Sequence, residues 1–239
     1  MKILSIIPAR GGSKGLPKKN ILPLNGHPLI AYSIKASMSE HKINRTICST
    51  DSEEIAEVAK KYGAEVPFLR PAEISIDTST DLENFNYTLN WLKKEEGYIP
   101  DLIVQLRPTS PLRKKSFISD AIDLINSDTK IDSVRAVSYP DHTPYKMWEL
   151  DNNGYLKPIL FLKNNPEPFN TQRQLLPTIY AQTGTIEVIK AATILEKKTV
   201  TGNIIKPLLI DQKYFIDIDD EASFFLAEYM MKKIDCIKL

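Results

Sequence analysis

The segment Ile6-Ile7-Pro8-Ala9-Arg10-Gly11-Gly12-Ser13-Lys14-Gly15-Leu16-Pro17-Lys18-Lys19-Asn20 carries most of the chemistry legible in this chain. The apolar run Ile3 to Ile7 predicts a short buried strand. It passes straight into a loop with glycines at 11, 12 and 15 and cations at 10, 14, 18 and 19. Glycine lets a backbone bend sharply and approach a ligand closely. Successive N–H groups in such a turn form a concave anion site. Arg10 adds a guanidinium fork suited to phosphate, and Lys14 and Lys19 add point charges. The pattern therefore predicts a polyphosphate loop, with Arg10, Gly11, Gly12, Ser13, Lys14, Lys19 and Asn20 as the residues around the bound phosphates. It fits neither the phosphate loop Gly-x-x-x-x-Gly-Lys-[Ser/Thr] nor the dinucleotide fingerprint Gly-x-Gly-x-x-Gly.

A second candidate lies near the C-terminus, at Ile216-Asp217-Ile218-Asp219. Residues two apart on a strand point to one face. Asp217 and Asp219 so placed can grip Mg²⁺ (or Mn²⁺), hard cations that take oxygen ligands. The same acids also suit the start of the final helix, and Asp220 is the expected cap. The three histidines show no spacing with a nucleophile and an acid, so covalent catalysis has no support.

The elements that must position these groups alternate. Helices are expected over Pro28–Ser39, from Ser52 to Gly63, over Asp81–Lys94 and over Lys114–Ile125. Strands are expected over Arg45–Ser49, Val66–Leu69, Leu102–Leu106 and Ser133–Ser138. That rhythm predicts an α/β fold, a mostly parallel Rossmann-like sheet with helices on both faces. Ligands on such sheets gather at the carboxyl ends of the strands. Arg10, Ser49-Thr50-Asp51 and Pro108-Thr109-Ser110 each follow a predicted strand, so they should meet along one edge. The rhythm breaks between about 141 and 177, where aromatics and prolines show no period. This stretch is expected to be an insertion in an otherwise single domain of 1–239, with a small antiparallel piece and a dimer contact. Beyond it come a strand over Ile186–Ile189, a short helix, a strand over Ile205–Ile210 and a last helix with Phe224, Phe225, Ala227 and Met231 on its core face.

Composition narrows the function classes. At 239 residues, 42% hydrophobic and 26% charged, the chain has the make-up of one globular α/β domain. A net charge of +1 gives no global field for nucleic acid or membrane. No apolar run approaches the roughly 20 residues that span a bilayer. Cys48 and Cys236 lack metal spacing and read as reduced thiols, Cys48 in the core. No signal peptide is legible, so the expected location is the cytoplasm.

The opening loop resembles the signature of the acylneuraminate cytidylyltransferases, which make CMP-activated sialic and related nonulosonic acids. Six further stretches carry the resemblance in order: Ser49-Thr50-Asp51, Leu69-Arg70-Pro71-Ala72-Glu73, Asp77-Thr78, Pro108-Thr109-Ser110-Pro111-Leu112-Arg113, Arg173-Gln174-Leu175-Leu176-Pro177 and Asp217-Ile218-Asp219. It implies a nucleotidyltransferase fold, CTP and a sugar acid as substrates, a divalent cation and a homodimer. It implies Arg10, Lys14 and Asp219 as catalytic residues, and Ser49, Asp51, Arg70 and Asp77 at the nucleotide. Ser110, Arg113, Arg173 and Gln174 are implied at the sugar. The chain departs from the family at Arg107, where sialic acid members commonly carry glutamine, and at Thr183-Gly184-Thr185-Ile186-Glu187, usually Asn-Gly-Ala-Ile-Tyr. Arg107 is expected either to meet the acceptor or to pair with a carboxylate such as Glu187. Both departures lie on the acceptor side, so the sugar is less determined than the nucleotide. A different acceptor, such as 3-deoxy-octulosonate, or another base stays open. A glycosyltransferase-like nucleotide-sugar domain is disfavoured, because the central strand ends in Arg-Pro-Thr-Ser rather than Asp-x-Asp.

Overall fold

The computed structural model describes residues 1–239. The strands are β1 (Ile3–Pro8), β2 (Pro23–Leu24), β3 (His27–Pro28), β4 (Arg45–Ser49), β5 (Leu102–Gln105), β6 (Ser133–Ser138), β7 (Trp148–Leu150), β8 (Leu156–Pro158), β9 (Ala181–Lys190) and β10 (Ile205–Leu209). The helices are α1 (Leu29–Met38), α2 (Glu53–Lys61), α3 (Asp81–Glu96), α4 (Ser116–Asn126), α5 (Ala191–Leu195) and α6 (Glu221–Lys233). The chain divides into two compact units, one of residues 1–137 with 182–239 and one of residues 138–181.

The first unit is built on a six-stranded sheet in the order β10-β6-β9-β5-β1-β4. β1 pairs in parallel with β4 and β5, β10 pairs in parallel with β6, and β9 runs antiparallel to β5. The expected mostly parallel α/β sheet is therefore borne out. Alternation along β1 explains the layering. Ile3 and Ile7 join Leu29, Ile30 and Ile34 of α1 on one face, while Leu4 and Ile6 join Phe85, Leu89 and Leu92 of α3 on the other. Cys48 is fully buried, and burial pushes its thiol up to about 12, in keeping with a core residue. No helix is long and apolar enough to cross a membrane.

Local chemistry fixes the helix starts. The Ser52 side chain accepts the Ile55 N–H ahead of α2, with Glu53 and Glu54 in the first turn. Thr80 and Glu83 form a reciprocal capping box on α3. Asp220 caps α6 by accepting from Ser223, as the sequence predicts.

Four expectations need correction. Residues 66–69 form no strand. Only Glu65 bridges to Ile47, and Pro67 has no N–H to extend the ladder. β9 starts at Ala181 rather than Ile186, because its N-terminal end is not apolar and carries no period signal. The segment 215–219 is not a strand, although Ile216 and Ile218 are buried while Asp217 and Asp219 are exposed. Phe225 is exposed rather than in the core face of α6, which is made by Ala227 and Met231 with Phe224 packed alongside.

The second unit brackets the stretch where the sequence loses its period. β7 and β8 form an antiparallel hairpin around Gly154 at φ +82°. The Asp151 carboxylate closes the turn by accepting the Asn153 and Tyr155 N–H groups, each at 2.9 Å. Trp148 packs at a tilt against Phe169 with ring centres 4.5 Å apart, and Tyr139 meets Tyr180 at 5.1 Å. Leu150, Tyr155, Phe161 and Leu175 stand exposed on it.

Candidate nucleotide-transfer site

A cleft of about 540 Å³ opens at the carboxyl ends of β1 and β5, the expected edge. Its walls come from the loop after β1 (Arg10, Ser13, Lys14, Gly15, Lys19, Asn20), the segment from Arg70 to Asn84, the turn Arg107-Pro108-Thr109 and Asp219. Cationic side chains outnumber carboxylates five to three on these walls. That excess suits a polyanion better than a neutral ligand.

The loop is held from behind. The Gly11 N–H donates to Asp51 Oδ1 at 2.9 Å, and Asn20 Nδ2 donates to the Arg10 carbonyl at 2.9 Å. Asp51 is thus a brace for the loop and does not line the cleft. Gly15 is required for a close approach. A Cβ there would sit 2.2 Å from the Asp219 carbonyl oxygen, so only glycine lets the loop touch the 215–219 segment. Lys19 completes the joint by donating to the Ile218 carbonyl at 2.7 Å and to Asp219 Oδ1 at 3.0 Å. This joint brings the two ends of the chain into one site.

Arg10 and Lys14 converge on Asp77: Arg10 Nη1 lies 2.6 Å from Oδ1, and Lys14 pairs with Oδ2. Lys14 first, then Arg10, holds the Asp77 carboxyl below the usual carboxylate range. The family resemblance implies Asp77 at the nucleotide; here it holds two cations of the glycine loop together. Arg70 lines the cleft and is itself mostly buried. Its Nε donates to Ser75 Oγ at 2.9 Å, and Asp51 lies 3.9 Å away. Burial pulls its ionisation below the usual guanidinium value while Asp51 opposes the shift.

Other predicted residues lie elsewhere. Ser49 is fully buried and does not face the cleft; its Oγ donates to Asn84 Oδ1 at 2.6 Å and so orients that amide. Asn84 lines the cleft with its Nδ2 unpaired. Ser110 is buried and donates to the Thr183 carbonyl at 3.2 Å. Arg113 is fully buried, so its expected sugar contact is replaced by a structural one. Its Nε, Nη1 and Nη2 donate to the Thr185 carbonyl, Ser33 Oγ and the Arg107 carbonyl at 2.6, 2.9 and 2.6 Å. Burial lowers its ionisation to about 9, which still leaves it charged at neutral pH. Gly12 is exposed and off the cleft walls. Arg173 and Gln174 belong to the second unit, where they line a concavity of their own with Tyr139 and Pro140.

Arg107 both lines the cleft and pairs with a carboxylate, but the closest partner is Asp81, with Glu187 farther off at 3.9 Å. Glu187 is buried against Arg135 at 2.8 Å; burial raises its carboxyl, with Arg135 and then Arg107 opposing. Asp81 and Asn84 escape a sequence reading because an acid and an amide in a first helical turn read as helix-start chemistry. The capping box at Thr80 and Glu83 was the available signal that Asp81 is not needed as a cap.

For a cation, Asp219 is placed on the cleft, whereas Asp217 is not among its walls. No group of three or more His, Cys, Asp or Glu side chains is gathered to hold an ion. Mg²⁺ commonly takes one or two carboxylates and completes its shell with substrate phosphates and water, so Asp219 beside the cationic glycine loop fits it.

Comparison with known proteins agrees with this geometry. Residues 4–200 match the family model described as Cytidylyltransferase. The chain is 36% identical over 234 residues, 97% of each chain, to the CMP-N,N'-diacetyllegionaminic acid synthase of Legionella pneumophila. It is 31% identical over 232 residues to the N-acylneuraminate cytidylyltransferase of Escherichia coli, covering 97% of this chain and 52% of that one. The solved CMP:2-keto-3-deoxy-manno-octonic acid synthetase superposes over 98% of this chain and 99% of its own with a TM-score of 0.70 at 13% identity, a likeness of fold. A cation-lined cleft on a nucleotidyltransferase sheet and a family match over most of the chain lead to one conclusion: this chain belongs to the cytidylyltransferase family.

Proposed function

We propose that this protein transfers the cytidylyl group of CTP to the anomeric hydroxyl of a 2-keto-3-deoxy sugar acid of the nonulosonic class. The observation that carries the reading is the joint of the glycine loop with Asp219. It sets Arg10, Lys14 and Lys19 beside a carboxylate in one cleft, in a chain similar over nearly its full length to two proteins named CMP-N,N'-diacetyllegionaminic acid synthase.

The anomeric oxygen attacks the α-phosphorus and its proton passes to water. The bond from that phosphorus to the bridging oxygen breaks, and pyrophosphate leaves. Negative charge accumulates on phosphate oxygens, so positioning and preorganised cations supply the rate. Arg10 and Lys14 exchange Asp77 for phosphate oxygens, and Lys19 holds the Asp219 segment against the loop while serving the β- and γ-phosphates. Arg70, with Ser75 fixing its Nε, takes the nucleoside side. Asp219 would hold Mg²⁺ or Mn²⁺ together with phosphate oxygens, and the ion would neutralise charge there. Arg107 reads the acceptor, with Ser110 and Arg113 shaping the wall behind it. Arg173 and Gln174 keep the acceptor role that the family resemblance implies. A homodimer covering the exposed apolar residues of the second unit, acting in the cytoplasm, completes the reading.

The test is pyrophosphate release over a matrix of four nucleoside triphosphates and a panel of keto sugar acids, with and without Mg²⁺. CTP with a nonulosonic acid should give the highest kcat/KM. Equal use of UTP, or release only with 3-deoxy-octulosonate, would overturn the base or the acceptor assignment.

A further inference from the structure

The acceptor side of the cleft holds an ion pair at Arg107, the position where this chain departs from the sialic acid members of the resembling family. Arg107 is fixed along its whole length. Its carbonyl accepts from Arg113 Nη2 at 2.6 Å and from Ser33 Oγ at 3.2 Å. Its stem lies against Gly184 (φ +68°), where a Cβ would come within 3.3 Å of Arg107 Cδ. Its Nη2 is paired with Asp81. Beneath, Glu187 stands 3.9 Å away and is itself held by Arg135 at 2.8 Å and by Gln182 Nε2 at 2.8 Å. Both Arg107 and Asp81 line the cleft, at about a third and a quarter side-chain exposure, respectively. Asp81 is not used as the helix cap, since Thr80 and Glu83 close that end of α3.

Resting on the cytidylyl-transfer reading above, we infer that Asp81 is a positioning and specificity residue for the acceptor: with Arg107 it forms a neutral donor–acceptor pair that reads an acylamino substituent of the sugar acid. The pair carries no net charge and shows a guanidinium N–H edge beside a carboxylate edge. An amide group matches both edges at once, its carbonyl accepting from Arg107 and its N–H donating to Asp81. A carboxylate of the acceptor would be attracted by Arg107 and repelled by Asp81 at similar range, so this pair is a poor carboxylate clamp. Asp81 also holds the guanidinium in one orientation before the acceptor arrives, which reduces the ordering cost of binding.

The experiment compares two acceptors that differ only in one ring substituent, acylamino against hydroxyl, with wild type, Asp81→Asn, Asp81→Glu, Arg107→Gln and the double variant Asp81→Asn/Arg107→Gln. KM for each acceptor, KM for CTP, kcat and Tm are measured. Asp81→Asn should raise KM for the acylamino acceptor by about 10- to 100-fold, the range of a hydrogen bond to a charged group. KM for CTP should stay within about twofold, and the preference over the hydroxyl analogue should collapse. Asp81→Glu, which keeps the charge, should recover part of that preference. The double variant should be no worse than Arg107→Gln alone, because the two groups act as one unit. An equal rise in KM for both acceptors or for CTP, additive losses in the double variant, or a fall in Tm with unchanged KM would make the pair structural and overturn the inference while cytidylyl transfer stood. Wild type that released no pyrophosphate with any acceptor would instead overturn the function itself.

Discussion

Substituting Gly15 by alanine tests the joint between the glycine loop and Asp219 most directly. The new methyl group would lie 2.2 Å from the Asp219 carbonyl oxygen, while real Cβ contacts essentially never fall under 3.0 Å. The two backbones must therefore separate by at least the difference, about 0.8 Å. Gly15 has no left-handed φ, so alanine brings no dihedral strain. It would even gain about 0.4–1 kcal/mol by restricting the unfolded chain. Overpacking costs about 1–3 kcal/mol, so the net loss of stability should be modest. Catalysis should suffer far more. Lys19 reaches the Ile218 carbonyl and the Asp219 carboxylate from the same loop, so separating the backbones displaces the carboxylate from the cations. A misplacement of about 1 Å typically costs about 10²-fold in rate. Steady-state pyrophosphate release at saturating CTP and acceptor should show kcat reduced by about that factor, with Tm lowered by a few degrees. A Gly15→Ala enzyme with kcat within about threefold of wild type would refute the claim that this contact sets the site.

Asp219→Asn should raise the Mg²⁺ concentration for half-maximal rate at least about tenfold and lower the limiting rate, since one charge is removed from a hard-ion site; a full rate at low Mg²⁺ would contradict that role. Arg113→Ala should destabilise the fold by about 3–5 kcal/mol in denaturant unfolding, because the Thr185 and Arg107 carbonyls and Ser33 Oγ lose a buried donor. A stable variant with a raised acceptor KM would restore its sugar role. Asp132 is held down to about 2, by Lys197 first and then by the Asn203 and Ile204 N–H groups. A depressed carboxyl stabilises the fold fully above its ordinary value of 3.8 and loses that contribution as pH falls towards 2. Asp132→Asn should accordingly lower Tm at neutral pH and flatten its fall between about pH 4 and 2; parallel Tm curves would refute the linkage.

The sequence by itself determined what depends on neighbours along the chain. Short, largely apolar runs placed β1, β4 and β5, and helical periodicity placed most of the helices, because a central strand is buried on both faces while a helix buries one. Side-chain capping marked the starts of α2 and α6, at Ser52 and Asp220, from the residues present. The glycine- and cation-rich loop marked a candidate anion site, because its glycines and clustered cations are neighbours along the chain. Tertiary structure alone decided which of those side chains face the cleft. Ser49 and Arg113 sit in signature motifs, yet they are buried and act through Asn84 and Arg107. Asp81 and Arg107 are 26 residues apart, and only the docking of α3 against β5 brings them together. The Val66–Leu69 strand failed for a related reason: an apolar run becomes a strand only when a ladder partner is available, and Pro67 cannot supply the donor. Local physics writes the elements and the reactive groups. The distances that turn them into a site are set by packing between elements far apart in the chain, and no local pattern in the sequence records them.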